Sequence, residues 1–140
     1  MKRIALALAL AWLLQPAGAL VRGTTELGIS FLSGGVGAEE MNLLNDERER
    51  YALSILTASK GSGAYLADVH IRITDQQSRP VLDTVMDGPY LLVGLPAGRY
   101  QVEAVHGDVV KTSSVVVATG DHHQTVFYFD THDEVEDVTP

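Results

Sequence analysis

Cysteine is missing from all 140 residues. No disulfide can staple the fold and no thiol can serve as a nucleophile. The chain must rely on its own core, and about 120 residues can bury roughly two thirds of their unfolded surface. Basic residues are few, 10 against 18 acidic ones. That balance repels nucleic acid and anionic lipid head groups and excludes both as partners. Catalytic signatures are missing as well. There is no HExxH, no HxxE pair with a distant third ligand, no GxSxG elbow and no GxxxxGK cradle. Ser62, between Gly61 and Gly63, has the composition of a turn. Beyond residue 19, no apolar run is long enough to span a bilayer.

The apolar run that does exist stands at the start. Met1-Lys2-Arg3 is basic, Ile4 to Leu14 carries no charge, and Gln15-Pro16 leads into the small residues Ala17-Gly18-Ala19. This is the layout of a secretory signal peptide, with cleavage expected after Ala19, and the run is short for a membrane span. A periplasmic or secreted address follows, and no membrane span remains after cleavage. Removing Lys2 and Arg3 makes the remaining chain more acidic still. The expected organisation is a signal peptide at 1–19, an N-terminal arm with a short helix at 20–50, a sandwich domain at 51–130 and an acidic disordered tail at 131–140.

Within the arm, Leu27, Ile29 and Phe31 alternate as a first strand or an ordered arm would. Ser33 to Gly37 reads as a lead-in loop. Ala38 to Arg48 reads as a helix, with Glu39 and Glu40 in its first turn and Arg48 and Arg50 at its end. Met41 and Leu44, with Leu43 beside them, mark its apolar stripe, which fits a small helix packed on the edge or end of a sheet. From Tyr51 onward the period becomes two. Strands are expected over 51–57, 66–74, 81–85, 90–93, 100–104, 109–118 and 125–130, with turn chemistry between them. No strand–helix–strand alternation points to a parallel sheet. The fold class is therefore mainly β: an antiparallel Greek-key β-sandwich of about seven strands with one short N-terminal helix.

The run Asp87-Gly88-x-Tyr90-x-Leu92-x-x-Leu95-Pro96-x-Gly98-x-Tyr100-x-Val102-x-Ala104 resembles the signature of carboxypeptidase regulatory-like domains. Those are small sandwiches of transthyretin-like topology. Leu66-Ala67-Asp68-Val69-x-Ile71-x-Ile73-x-Asp75 resembles that family's first strand and turn, and Ser78 stands where the pattern commonly has Gly. With the signal peptide and Gly34-Gly35-Val36-Gly37-x-Glu39-Glu40, the chain looks like a group of small proteobacterial envelope proteins carrying only this domain. The resemblance implies the non-catalytic module and not the zinc peptidase beside it. On elementary grounds, Gly88 and Gly98 are expected to supply positive φ at two turns, Pro96 to preset a turn, and Tyr100 to bury its ring with its hydroxyl bonded at a corner.

No catalytic residue and no cofactor is expected. Histidine offers the remaining candidates for a site. His70 lies on the polar parity of its strand and His106 at a turn. Asp121, His122 and His123 are weak metal candidates, and Asp130, His132 and Asp133 lie one extended strand away, about 30 Å at ~3.3 Å per residue. Two functions are thus carried forward. One is a non-catalytic exported module that binds a protein or cell-envelope partner through loops or an open sheet edge. The alternative is a small ligand or metal carrier using the histidine-bearing loop ends.

Overall fold

The computed structural model describes residues 20–130; the leader expected at 1–19 and the acidic tail expected at 131–140, with His132 and Asp133, lie outside the described residues. In chain order the elements are β1 (Val21–Thr24), β2 (Ser30–Gly34), α1 (Gly37–Glu47) with a 3-10 turn at Arg48–Arg50, and β3 (Leu53–Ser59). Then come β4 (His70–Asp75), β5 (Pro80–Val85), β6 (Tyr90–Val93), β7 (Gly98–His106), β8 (Val109–Val117) and β9 (His123–Phe129). They form a five-stranded sheet in the order β1-β2-β6-β3-β9 and a four-stranded sheet in the order β5-β4-β7-β8. The expected β-sandwich is present, with nine strands among the described residues.

The two additional strands come from the segment expected to be an arm. β1 and β2 form a hairpin, and β2 pairs with β6, Leu32 opposite Leu92. They extend the same sheet that β3, β6 and β9 build.

Period-two alternation sets the faces as read from sequence. Val69, Ile71 and Ile73 are buried, while His70 and Arg72 point outward. Tyr100, Val102 and Ala104 on β7, and Phe127 and Phe129 on β9, turn inward. With Leu53, Ile55, Leu91, Val93, Val115 and Val117 they fill the space between the sheets.

α1 does not sit on an edge or end. It covers the outer face of the five-stranded sheet, where Leu44 packs with Leu32, Tyr90 and Leu92, and Met41, Tyr51 and Leu56 close around them. The reason is topological. β2 and β3 both run antiparallel to β6, which lies between them, so they run parallel to each other. A chain leaving β2 must return along the sheet before entering β3, and such a crossover needs a helix-length connection over one face. One strand–helix–strand unit is therefore present. β3 also pairs in parallel with β9, Leu53 opposite His123. Covered on both faces, β3 buries six of its seven residues, including the polar Ser54 and Thr57. Thr57 satisfies its hydroxyl by donating to the Leu66 carbonyl at 2.7 Å.

The start of α1 explains the glycine-rich lead-in. Val36 occupies the cap position and has no side-chain acceptor. Glu40 reaches back instead, its Oε1 accepting from the backbone N–H groups of Gly35 at 3.2 Å and Val36 at 3.4 Å. A site that could cradle an external anion is filled by the chain's own carboxylate.

Two expectations about turn glycines need correction. Neither Gly88 nor Gly98 has positive φ. Gly88 lies against the main chain of β2, where an added Cβ would stand 2.4 Å from the Gly34 carbonyl oxygen. It is glycine for close approach, not for a left-handed turn. Two non-glycine residues are left-handed, Asp68 at φ +60° and Ser78 at φ +62° in the β4–β5 turn. A non-glycine residue at position 78 costs about 1–2 kcal/mol. Glycine would relieve that cost while losing ~0.4–1 kcal/mol to its freer unfolded chain. Ser78→Gly is expected to stabilise the protein by about 0.5–1 kcal/mol on this balance. Thermal unfolding of the two proteins side by side checks it, and a lower midpoint for Ser78→Gly would contradict the assignment.

Candidate functional site

One end of the sandwich gathers the β1–β2 turn, the β4–β5 turn, the segment between β6 and β7, and the loop between β8 and β9. Register places them together, because Phe31 and Leu53 both pair with Val93, Leu53 pairs with His123, and Gly98 pairs with Val117. His122, His123 and two surface hollows lie at this end, whereas His70 and His106 lie toward the other.

His122 is committed to the fold. Its ring Nδ1 donates to the Tyr51 carbonyl at 2.7 Å. That assigns the proton to Nδ1 and leaves Nε2 to accept from the Ser54 hydroxyl, 3.5 Å away. The His123 main-chain N–H donates to the Ala52 carbonyl at 2.8 Å. Together these bonds fasten the start of β9 to the start of β3. The His123 ring Nε2 stands 3.5 Å from the Asp121 carboxylate and makes no hydrogen bond. No group of three or more His, Cys, Asp or Glu side chains converges as a metal site would require among the described residues. Asp130 lies beyond the far end of β9. His70 bonds the Asp83 carboxylate, which also faces Arg72, and these two partners hold the Asp83 carboxyl below its ordinary range. The His106 ring packs against Phe129 at 5.4 Å between centroids.

The larger hollow, about 340 Å³, lies beside the β4–β5 turn. Leu27, Ile29, Val81, Pro96 and Tyr100 supply its apolar lining, and Asp75, Gln76, Gln77, Arg79 and Arg99 its polar lining. A second hollow of about 280 Å³ adjoins it on the β8 side and shares Asp75, Gln76, Arg99 and Tyr100. The turn between them is tightly held. The Asp75 carboxylate accepts from the backbone N–H groups of Gln77 and Arg79 and from Arg79 Nε, each at 2.9 Å. The Arg79 backbone N–H first, then its guanidinium and the Gln77 N–H, hold the Asp75 carboxyl below its usual value. Tyr100 donates its hydroxyl to the Pro96 carbonyl at 2.7 Å. Burial, and then the nearby Asp75 charge, raise that phenol above its ordinary pKa, so it remains a donor.

The acid–base groups lining the hollow are therefore engaged in holding it. Arg99 is different. It is exposed and forms no ion pair among the described residues, whereas Arg79 is balanced by Asp75. Among the described residues the hollow thus presents one guanidinium without an ion-pair partner beside apolar side chains. In the sequence this place is marked only by ordinary turn residues, and folding alone brings Leu27, Arg79 and Arg99 to one hollow.

A scan against protein-family models matches none to this chain, and a search of the curated proteins finds no match either.

Proposed function

We propose that this chain is a non-catalytic exported binding module that holds a partner protein through the loop-end hollow. The observation that carries the reading is the placing of apolar side chains beside the Arg99 guanidinium, which forms no ion pair among the described residues. A volume of about 340 Å³ accommodates one or two side chains. The fitting ligand is an extended partner segment with an apolar side chain next to a carboxylate, the side chain covering Tyr100 and Pro96 and the carboxylate bonding Arg99. Catalysis is not part of the proposal, because Asp75 and Tyr100 are bound into the turn. The leader-like start supports export, and the resemblance to carboxypeptidase regulatory-like domains supports a binding role by analogy.

Amide chemical-shift mapping with short leucine-ending peptides tests the reading. Peptides with a free carboxylate are expected to shift residues 76–79 and 96–100, and their amidated counterparts to have much smaller effects. Arg99→Ser is expected to weaken binding about 10–100-fold, the worth of a charge-assisted bond. Equal responses to both peptides, or responses indifferent to Arg99, would remove the hollow from consideration.

A further inference from the structure

Four strands end the two sheets, and they are not equally protected. β1 has four residues. β5 begins at Pro80, and its pairing with β4 shifts register between Ile73 and Thr74. Shortness, proline and irregular pairing all blunt an edge. β8 has none of these. It is nine residues long, pairs regularly with β7 throughout, and among the described residues has no strand on its other side. In a chain of net charge −8 it carries no acid, and Lys111 is its one charged residue.

The direction of its unused main-chain groups follows from the hairpin. Gly107-Asp108 joins β7 to β8, with Gly107 at φ +60°. In a two-residue loop the closing pair, His106 and Val109, exchanges both backbone bonds. Alternation along the antiparallel ladder then turns the N–H and C=O groups of Val110, Thr112, Ser114 and Val116 to the open side. The side chains of Val110 and Val116 are also more than half exposed.

We propose that β8 pairs antiparallel with β8 of a second copy, about a two-fold axis at Ser113. The polarity of Val109-Val110-Lys111-Thr112-Ser113-Ser114-Val115-Val116-Val117 is nearly the same in both directions. A dyad at Ser113 sets Val110 against Val116 of the second copy, and Thr112 against Ser114, each twice. The residues brought opposite one another are the four whose backbone groups are open, which yields about eight inter-copy hydrogen bonds. Moving the dyad to Thr112 or Ser114 faces valine with a hydroxyl residue. A dyad between residues would oppose open groups to groups already used. β9, turned about Val126, sets Gln124 against Tyr128 and lacks this symmetry. The result is a sheet continuous through both copies, in the manner of edge-strand addition.

The absence of cysteine makes the test direct. At the dyad the two Ser113 residues form a non-hydrogen-bonded pair with Cα atoms ~4.5 Å apart, within disulfide reach. Ser113→Cys in the protein purified from cells expressing the full chain is expected to close into a covalent dimer under mild oxidation. Lys111→Cys, whose two copies would stand about 13 Å apart, is not. Sedimentation of the unmodified protein is expected to give twice the monomer mass. Thr112→Pro removes only an outward donor and is expected to give a folded monomer by circular dichroism; Val110→Lys supplies the same readout should proline disturb the strand. A monomer at every concentration overturns the proposal. So does a dimer that cross-links equally at 111 and 113 or ignores both substitutions.

Discussion

Tyr100→Ala is expected to lower stability by about 3–5 kcal/mol, the loss typical of a large buried aromatic. The ring stands 8% exposed among the residues that fill the space between the sheets. Its hydroxyl bonds the Pro96 carbonyl four residues earlier, so one side chain joins the core to the β6–β7 connection. Tyr100→Phe separates these contributions. It keeps the ring and leaves the Pro96 carbonyl without its partner, which costs about 0.5–1.5 kcal/mol. Urea unfolding of the three proteins should therefore rank them wild type, Phe, Ala, with the second step larger. An unchanged midpoint for Tyr100→Ala would remove this residue as an anchor. Phe and Ala variants of equal stability would mean that the hydroxyl, not the ring, carries the effect.

Leu44→Ala is expected to cost about 2–5 kcal/mol, depending on how far the site collapses. Leu44 is fully buried on the outer face of the five-stranded sheet, against Leu32, Tyr90 and Leu92. Its neighbour Leu43 is 48% exposed, so Leu43→Ala should change stability by no more than about 0.5 kcal/mol. The contrast bears on what α1 is for. A crossover helix that covers the sheet must lose stability when Leu44 is cut. A helix held in reserve for a partner would tolerate the change. Denaturant midpoints of the two variants decide it, and comparable small effects would contradict the structural role of the helix. The bidentate pairing of Arg22 with Glu47 ties the same helix to β1. The Arg22 guanidinium lowers the Glu47 carboxyl below its ordinary value.

The candidate site was only partly legible. Asp121, His122 and His123 stood out by residue type, yet His122 is spent on the Tyr51 carbonyl, an acceptor 71 positions away. No spacing rule reports such a bond. Arg99 was unremarkable as a turn residue beside Gly98. It became a candidate once Leu27, Arg79 and Pro96 were found around the same hollow. Ser78 stands where glycine would be expected, and its left-handed backbone gives that departure a physical cost.

Local chemistry in the sequence determined which residues face the core. Side chains alternate in a strand whatever lies beside it, so Ile71 and Ile73, Tyr100 and Val102, and Phe127 and Phe129 could be assigned before any neighbour was known. Polar turns and glycine likewise marked where strands stop. The tertiary structure alone decided which strands meet. It joined β1 and β2 to the sandwich, laid α1 across a sheet face, made β3 and β9 parallel and left β8 open. Those outcomes depend on contacts between residues far apart in the chain, and hydrophobic period carries no information about the partner that will satisfy it.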